Sequence, residues 1–461
     1  MYMVKGKIFF VWALLIIFSV SECFAQNNFK IKTTNIGNRI NSKFADFAPV
    51  ISADGTTMIF TSSRPYTDKE VKAGKPTLER IYISHYNTEQ GQWMKAEVMS
   101  ESVNAIGRNN SAIALSNDAQ RMLLYRDDNT GNGDIYESVL NGTKWSEAKR
   151  LPEPVNSSAH ESSACYAPDG NTIYFVSNRK GAEGGRDIWE CKRNIDGTWS
   201  EAKPLSNVIN TKDDEEGVYL HPDGVTLYFS SKAHNSTGGY DVFYSVKADG
   251  NWSTPINMGS GLNSKEHDVF FVMEANGLKG YYASAKIGGL GMEDIYLVEF
   301  EKEKNDKGPR LTLLKGIVSD QKTKLPLMAN LEITDNVTAE RISILKSNAE
   351  SGKYLISLAA GHNYGINVNA EGYLFYSVNV TMPDTADYNE LTKDIFLERL
   401  EVGSLVTLNN IFYDFDKATL RDESKSELDK LYKLLVQNPS VQVEIRSHTD
   451  NKGSEIGRAH V

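Results

Sequence analysis

Two columns of polar side chains recur along this 461-residue chain. Asp46, Asn110, Glu161, Glu215 and Asp268 each stand eight positions before a turn residue: Asp54, Asp118, Asp169, Asp223 and Asn276. Arg64, Arg126, Arg179, Lys232 and Lys286 stand eight to ten positions after it. A ring of carboxylates could hold a cation or a basic peptide segment, and oxygen ligands suit Ca²⁺. Spacing yields neither coordination number nor distance, so no metal and no cofactor is assigned. The plainer chemistry is structural, each base neutralising the acid of its own repeat or of a neighbour. Other reactive constellations are missing from the sequence: no G-x-S-x-G nucleophile elbow, and no H-E-x-x-H among eight scattered His. The expectation is a chain that is not an enzyme.

The elements that position these columns form a repeat with a period near 53 over residues 29–300. A turn recurs in "SADGTTMIF", "SNDAQRMLL", "APDGNTIYF", "HPDGVTLYF" and "EANGLKGYY". An aspartate opens a short strand at Asp134, Asp187, Asp241 and Asp294, where the first repeat has Arg80. Trp93, Trp145, Trp199 and Trp252 begin a last strand that ends near Asn104, Asn156, Asn210 and Asn263. Four strands per unit around an Asp-Gly hairpin are the blades of a β-propeller. The fifth unit lacks its Trp-started strand, and "FKIKTTNIGNRINS" supplies one from the start of the chain, closing the ring. Five blades are expected, with six as the alternative. Asp46, Glu161, Glu215 and Asp268 then start innermost strands and become candidates for one mouth of the central channel. The longer first-repeat loop, "RPYTDKEVKAGKPTLER", marks a partner-contacting edge.

Apolar content of 40% and charge of 24% describe a folded chain, and a net charge of −10 disfavours nucleic acid or anionic lipid as partner. Lys5, Lys7, the apolar run Ile8 to Val20 and Cys23-Phe24-Ala25 make residues 1–25 a secretory signal peptide, with a Cys23 lipoprotein as the alternative. No later stretch is long and apolar enough to span a bilayer. Cys165 and Cys191 fall on the first and third strands of one blade, roughly 9–10 Å apart, too far for a disulfide.

Residues 301–310, "EKEKNDKGPR", form a charged linker. Residues 311–400 read as short strands broken at turns, a β-sandwich. In residues 401–454 a strand through Asp416 precedes a helix carrying Leu428, Leu431, Tyr432 and Leu435 on one face, with Ser424 and Glu427 at capping-box spacing. "VQVEIRSHTD" is the next strand, so this part is an incomplete α/β unit.

These segments resemble known families. The "PDGxxxYFxSxR…GGxDI" pattern is similar to TolB-like (WD40-like) propeller repeats of periplasmic proteins. "KGIVSD", "LPLMANLEI" and "SGKYLISLAAGHNYGINVNAEGY" resemble the carboxypeptidase regulatory-like domain, a spacer or contact module. "IFYDFDKATL" and "SHTDNKGS" resemble the OmpA-like peptidoglycan-binding domain. That last resemblance implies that Asp450 helps hold the zwitterionic end of diaminopimelate in the stem peptide, with an arginine some fifteen residues on gripping its carboxylate. The helix bearing that arginine is missing here, and Arg458 is too near. "EIGRAHV" is also what a common sequencing-adapter sequence encodes, so residues 455–461 are expected to be artefact. The combination resembles Bacteroidetes cell-envelope proteins of the OmpA family, including a type IX secretion accessory protein. It implies a periplasmic, outer-membrane-associated protein that tethers a protein-binding propeller to peptidoglycan. A propeller binding a ligand without a cell-wall role, and a propeller-gated hydrolase, are the alternatives.

Overall fold

The computed structural model describes residues 30–445, except 75, 129–131, 182, 195, 302–308, 339, 384–386, 406, 410, 415–416 and 418. Residues 1–29, where a signal peptide was expected, most of residues 301–310, Asp450 and residues 455–461 lie outside the described residues.

The chain is mainly β. Between residues 30 and 301 it forms five antiparallel sheets, each counted outward from an inner strand: Asp46–Ile51, Asn110–Leu115, Glu161–Tyr166, Glu215–Leu220 and Asp268–Met273. Each inner strand packs against the next, and the fifth returns to the first, so the sheets form a closed cycle. Lys30–Asn35 pairs antiparallel with Asp294–Glu301, from Lys30 opposite Glu301 to Asn35 opposite Tyr296, and completes the fifth sheet. The Trp-started strand proves to be a pair of two-residue pieces in three sheets, such as Lys144–Trp145 and Lys149–Arg150.

One buried asparagine per sheet serves the third strand, and in the first four sheets it takes the place of a continuous fourth strand. Asn156 accepts from the Ile135 amide (2.8 Å) and donates to the Ile135 and Leu151 carbonyls (2.8 and 2.7 Å). Asn104 and Asn210 repeat the pattern on Ile81 and Ile188, and Asn263 on Val242. Asn41, from the start of the chain, does the same to Ile295 in the fifth sheet. A side-chain amide supplies the donor and acceptor that a neighbouring strand would otherwise give, so these buried backbone groups are satisfied. Apolar side chains between sheets, Phe175, Phe229 and Phe243 among them, are fully buried, each contributing about 1.5–3 kcal/mol.

The hairpin turns need a left-handed residue. Gly55, Gly170, Gly224 and Gly277 supply it with φ between 68° and 76°, and the second repeat has Ala119 at φ 54°. The preceding Asp, or Asn276 in the fifth repeat, closes each turn on itself; Asp169, for example, accepts from the Asn171 and Thr172 amides at 2.8 Å.

Residues 311–397 form two four-stranded sheets sharing one core that includes Val318, Leu331, Ile333, Leu358 and Ile366. This sandwich covers the face of the five sheets where the hairpin turns lie. Leu311 and Leu313 pack on Ala53 and Ala275, and Asn348 donates to the Gly142 carbonyl at 2.8 Å. The turns at Asp118, Asp169 and Asp223 share with Ile342, Leu345 and Ile356 a cavity of about 290 Å³.

The C-terminal portion departs from expectation. Its helix, α2 (Lys425–Gln437), is present with Leu431 buried and Tyr432 exposed. Asp416, where the sequence put the end of a strand, lies outside the described residues; residues 407–409, 411–414 and 441–445 make only an isolated Tyr413–Leu420 bridge, because a strand exists only with a ladder partner and the described residues supply none. The Ser424–Glu427 capping box does not form. Ser424 Oγ bonds the Phe412 amide and carbonyl, and Glu427 accepts from Ser377 Oγ at 2.8 Å. Tertiary partners outcompete the cap.

Candidate functional site at the channel mouth

The carboxylate column sits where the spacing puts it, at the first residue of the inner strands, but beneath the mouth. Asp46, Glu161, Glu215 and Asp268 are all 0% exposed. Each staples the loop four residues upstream: Asp46 on Ser42, Glu161 on Ser157, Glu215 on Thr211 and Asp268 on Ser264, through both the amide and the hydroxyl. The basic column divides. Arg64 reaches Asp46, Arg179 reaches Glu161 at 2.9 Å, and Arg126 reaches Asn110 at 3.0 Å. Lys232 turns to Asp214 at 2.7 Å and Lys286 to the Tyr282 hydroxyl at 2.8 Å. Glu215, buried without a cation, has its carboxyl pushed up to about 7, although Thr211 and Ser231 hydrogen bonds oppose this. Burial likewise raises Asp268.

Two other positions reach the mouth. The first is the residue one before Arg80, Asp134, Asp187, Asp241 and Asp294 at the opening of the third strand: Glu79, Gly133, Arg186, Tyr240 and Glu293. The carbonyls of Glu79, Arg186, Tyr240 and Glu293 accept from the first amide of the adjoining inner strand, at 2.8–3.1 Å. The second is the next residue of the inner strand: Phe47, Ser111, Ser162, Glu216 and Val269. A bulge follows in every inner strand. Its third residue has positive φ at Ala48 (48°), Gly217 (60°) and Phe270 (57°). Such backbone costs about 1–3 kcal/mol at a non-glycine and clusters at functional sites.

The resulting mouth has two halves. On one, Arg186 bonds Glu216 at 2.8 Å, and Ser162 Oγ donates to the same carboxylate at 2.8 Å. His160 lies edge-on to Tyr125, its pKa lowered by burial and by Arg186. On the other half Glu79, Glu293 and Asp127 form no ion pair among the described residues. Burial, with Asp127 nearby, pushes the Glu79 carboxyl up to about 6. Burial, with Glu79, Asp294 and Asp46 nearby, pushes Glu293 to about 7. Carboxylates held near neutrality can exchange protons or meet a cationic group. Spacing missed these residues; their signal was the position just before the third strand. The thiols are not part of any site: Cys165 and Cys191 are free, buried and pushed up to about 12 and about 11 by burial.

No family model matches the chain, and no curated protein is similar to it. Among solved structures it is similar to one described as TolB from Agrobacterium tumefaciens, with 18% identity and a TM-score of 0.35, covering 59% of this chain and 98% of that one. It is also similar to a gluconolactonase from Xanthomonas campestris (12%, TM-score 0.33, 58% and 91% covered). A third is an α-L-arabinofuranosidase from Lactobacillus brevis (14%, TM-score 0.37, 59% and 94% covered). The last two correct the expectation that the chain is not an enzyme. The two motifs whose absence carried that expectation serve serine nucleophiles and zinc, whereas carboxylate chemistry at a channel mouth needs neither. The chain is a β-propeller protein with a two-sheet sandwich seated on one face.

Proposed function

We propose that the chain is a periplasmic cell-envelope protein in which a five-bladed propeller holds a protein partner at its open mouth and a C-terminal OmpA-like portion holds the whole to peptidoglycan. The observation that carries this is the asymmetry of the propeller: the sandwich packs on the turn face, and among the described elements none is seen to pack over the loops on the other. The closed cycle of five inner strands, completed by Lys30–Asn35, supports five blades over six. The tether is supported by the "IFYDFDKATL" and "SHTDNKGS" motifs and by α2 between them. Residues 311–400 act as a regulatory-like spacer, and service in envelope integrity or type IX secretion follows from the same resemblance. The test is to sequence the locus past the Ser454 codon and sediment the encoded protein with peptidoglycan, beside an Asp450→Ala variant. Co-sedimentation that the variant loses supports the tether; a protein that stays in solution overturns it.

One observation favours a second reading, acid–base chemistry at the mouth: Glu79 and Glu293 are held at about 6 and about 7, where a general acid works best. Chromogenic aryl glycosides and esters, assayed between pH 5 and 7 against Glu293→Gln, test it. Turnover that the variant abolishes would establish it, and no turnover would end it.

A further inference from the structure

The open face of the propeller is most apolar on one side. Ile287 (98% exposed), Leu290 (50%) and Met292 (66%) stand on the fifth sheet's loop, Tyr66 and Val71 on the first sheet's, and Ile106 (80%) on the segment 99–109 that joins the first sheet to the second. On the other side, loops 178–186 and 232–240 expose no large apolar side chain among their described residues, and segment 205–214, the counterpart of 99–109, exposes only Val208, at 36%.

The three apolar loops are laced into one arc. Glu293 bridges Ala45, and Gly291 lies so close to the Ser42 and Phe44 carbonyls that no Cβ would fit. The Glu79 amide donates to Asn109 Oδ1 at 3.0 Å, and the Asn110 amide to the Glu79 carbonyl at 3.1 Å. Helix α1 (Asp68–Ala73) buries no residue of its own, yet it is fixed at both ends. A Thr67–Glu70 capping box and a left-handed Gly74 close it, and Arg80 clamps Glu70 at 2.8 Å. An element that adds nothing to the core but is held in one orientation presents its side chains outward.

Inside the arc lie Glu79, Glu293 and Asp127, the acidic half of the mouth. Apolar rim and anionic floor together define the complement: apolar side chains around a single cation. A membrane surface is the wrong partner, because anionic lipid repels this floor.

We propose that the arc over the fifth, first and second sheets docks a segment of a partner protein that presents one Lys or Arg flanked by apolar side chains, the cation meeting Glu79 and Glu293. This rests on reading the propeller as a partner-binding module.

The test uses displayed random dodecapeptides selected on the immobilised full chain, with enriched peptides synthesised and titrated. Enriched peptides should carry a Lys or Arg between apolar residues. Ile287→Asp with Leu290→Asp should weaken them about tenfold or more, as truncating anchor residues does. Glu79→Gln with Glu293→Gln should weaken them about tenfold and flatten the salt dependence. Lys180→Ala, on the third sheet's loop, should leave binding unchanged. Ile287 and Leu290 are surface side chains and Glu→Gln is isosteric, so unchanged thermal unfolding keeps these variants interpretable. Binding that survives both double variants, or binding instead to anionic vesicles, overturns this inference while the partner-binding reading stands. Failure to enrich any peptide overturns both.

Discussion

The two faces of the propeller are built by opposite means. The turn face is regular: five short hairpins with their own Asx hydrogen bonds, joined to the sandwich by Leu311 and Leu313 on Ala53 and Ala275. The mouth face is irregular, and what fixes it are carboxylates with no exposure at all, each tying down the loop upstream of it. One face is an apolar seam, the other a set of buried polar staples. The contrast teaches that recurrence in a sequence marks where a side chain holds its own repeat together, and variation marks where the repeats turn toward something else.

The comparison can be broken most forcefully at Glu161. Removing it as Glu161→Ala strands the Arg179 guanidinium, itself only 13% exposed, and should cost about 3–5 kcal/mol in urea unfolding. A loss below about 1 kcal/mol, the worth of a surface pair, would show that the staples are not what holds the mouth. On the other face, Leu313 is fully buried. Leu313→Ala should cost about 3 kcal/mol and let calorimetry resolve the sandwich melting ahead of the propeller; one unchanged cooperative transition would deny that the seam couples them.

Acidity separates the faces next. Glu79, Glu215 and Glu293 have carboxyls raised from 4.5 to about 6, 7 and 7. The folded protein therefore holds more protons than the unfolded one between those limits. Their contribution to stability is full below about 4.5 and is lost as pH rises through 6 to 7. The melting temperature should fall between pH 5 and pH 7.5, and Glu293→Gln should reduce that fall; a rise over the same window would contradict it. The smallest effect belongs to the turn face. Ala119→Gly relieves a left-handed alanine at φ 54° and should add about 0.5–1 kcal/mol, with a measured loss counting against the turn assignment.

Legibility followed the range of the forces involved. The turns, the Asp-opened strands and the asparagines were readable because each is set by residues within a few positions: an Asx bond, a left-handed glycine, an amide closing on a nearby strand. The same holds for Lys30–Asn35, whose spacing to Asn41 matches the Trp-to-Asn interval. Depth was not readable. Asp46 and its equivalents were placed correctly along the strand, yet spacing could not tell that they lie under the mouth. Glu79 and Glu293 went unnoticed because their position carries Glu, Gly, Arg, Tyr and Glu in turn, and its backbone task is set by the adjoining sheet. Capping boxes show both errors. Ser424 and Glu427 have the spacing but are claimed by Phe412 and Ser377, while "TDKE" at Thr67–Glu70 forms a true box. The resemblance of residues 401–454 to an OmpA-like domain rests on motifs alone, and Asp450 lies outside the described residues.

The sandwich seated on the turn face makes the two ends of the propeller unequal, since Leu311 and Leu313 pack beside the turns on Ala53 and Ala275. Under the proposed reading, a partner would then approach from the mouth side. Recognition would run tip-first, favouring a chain end or a protruding side chain over the middle of a strand, and release would need only withdrawal along the same path.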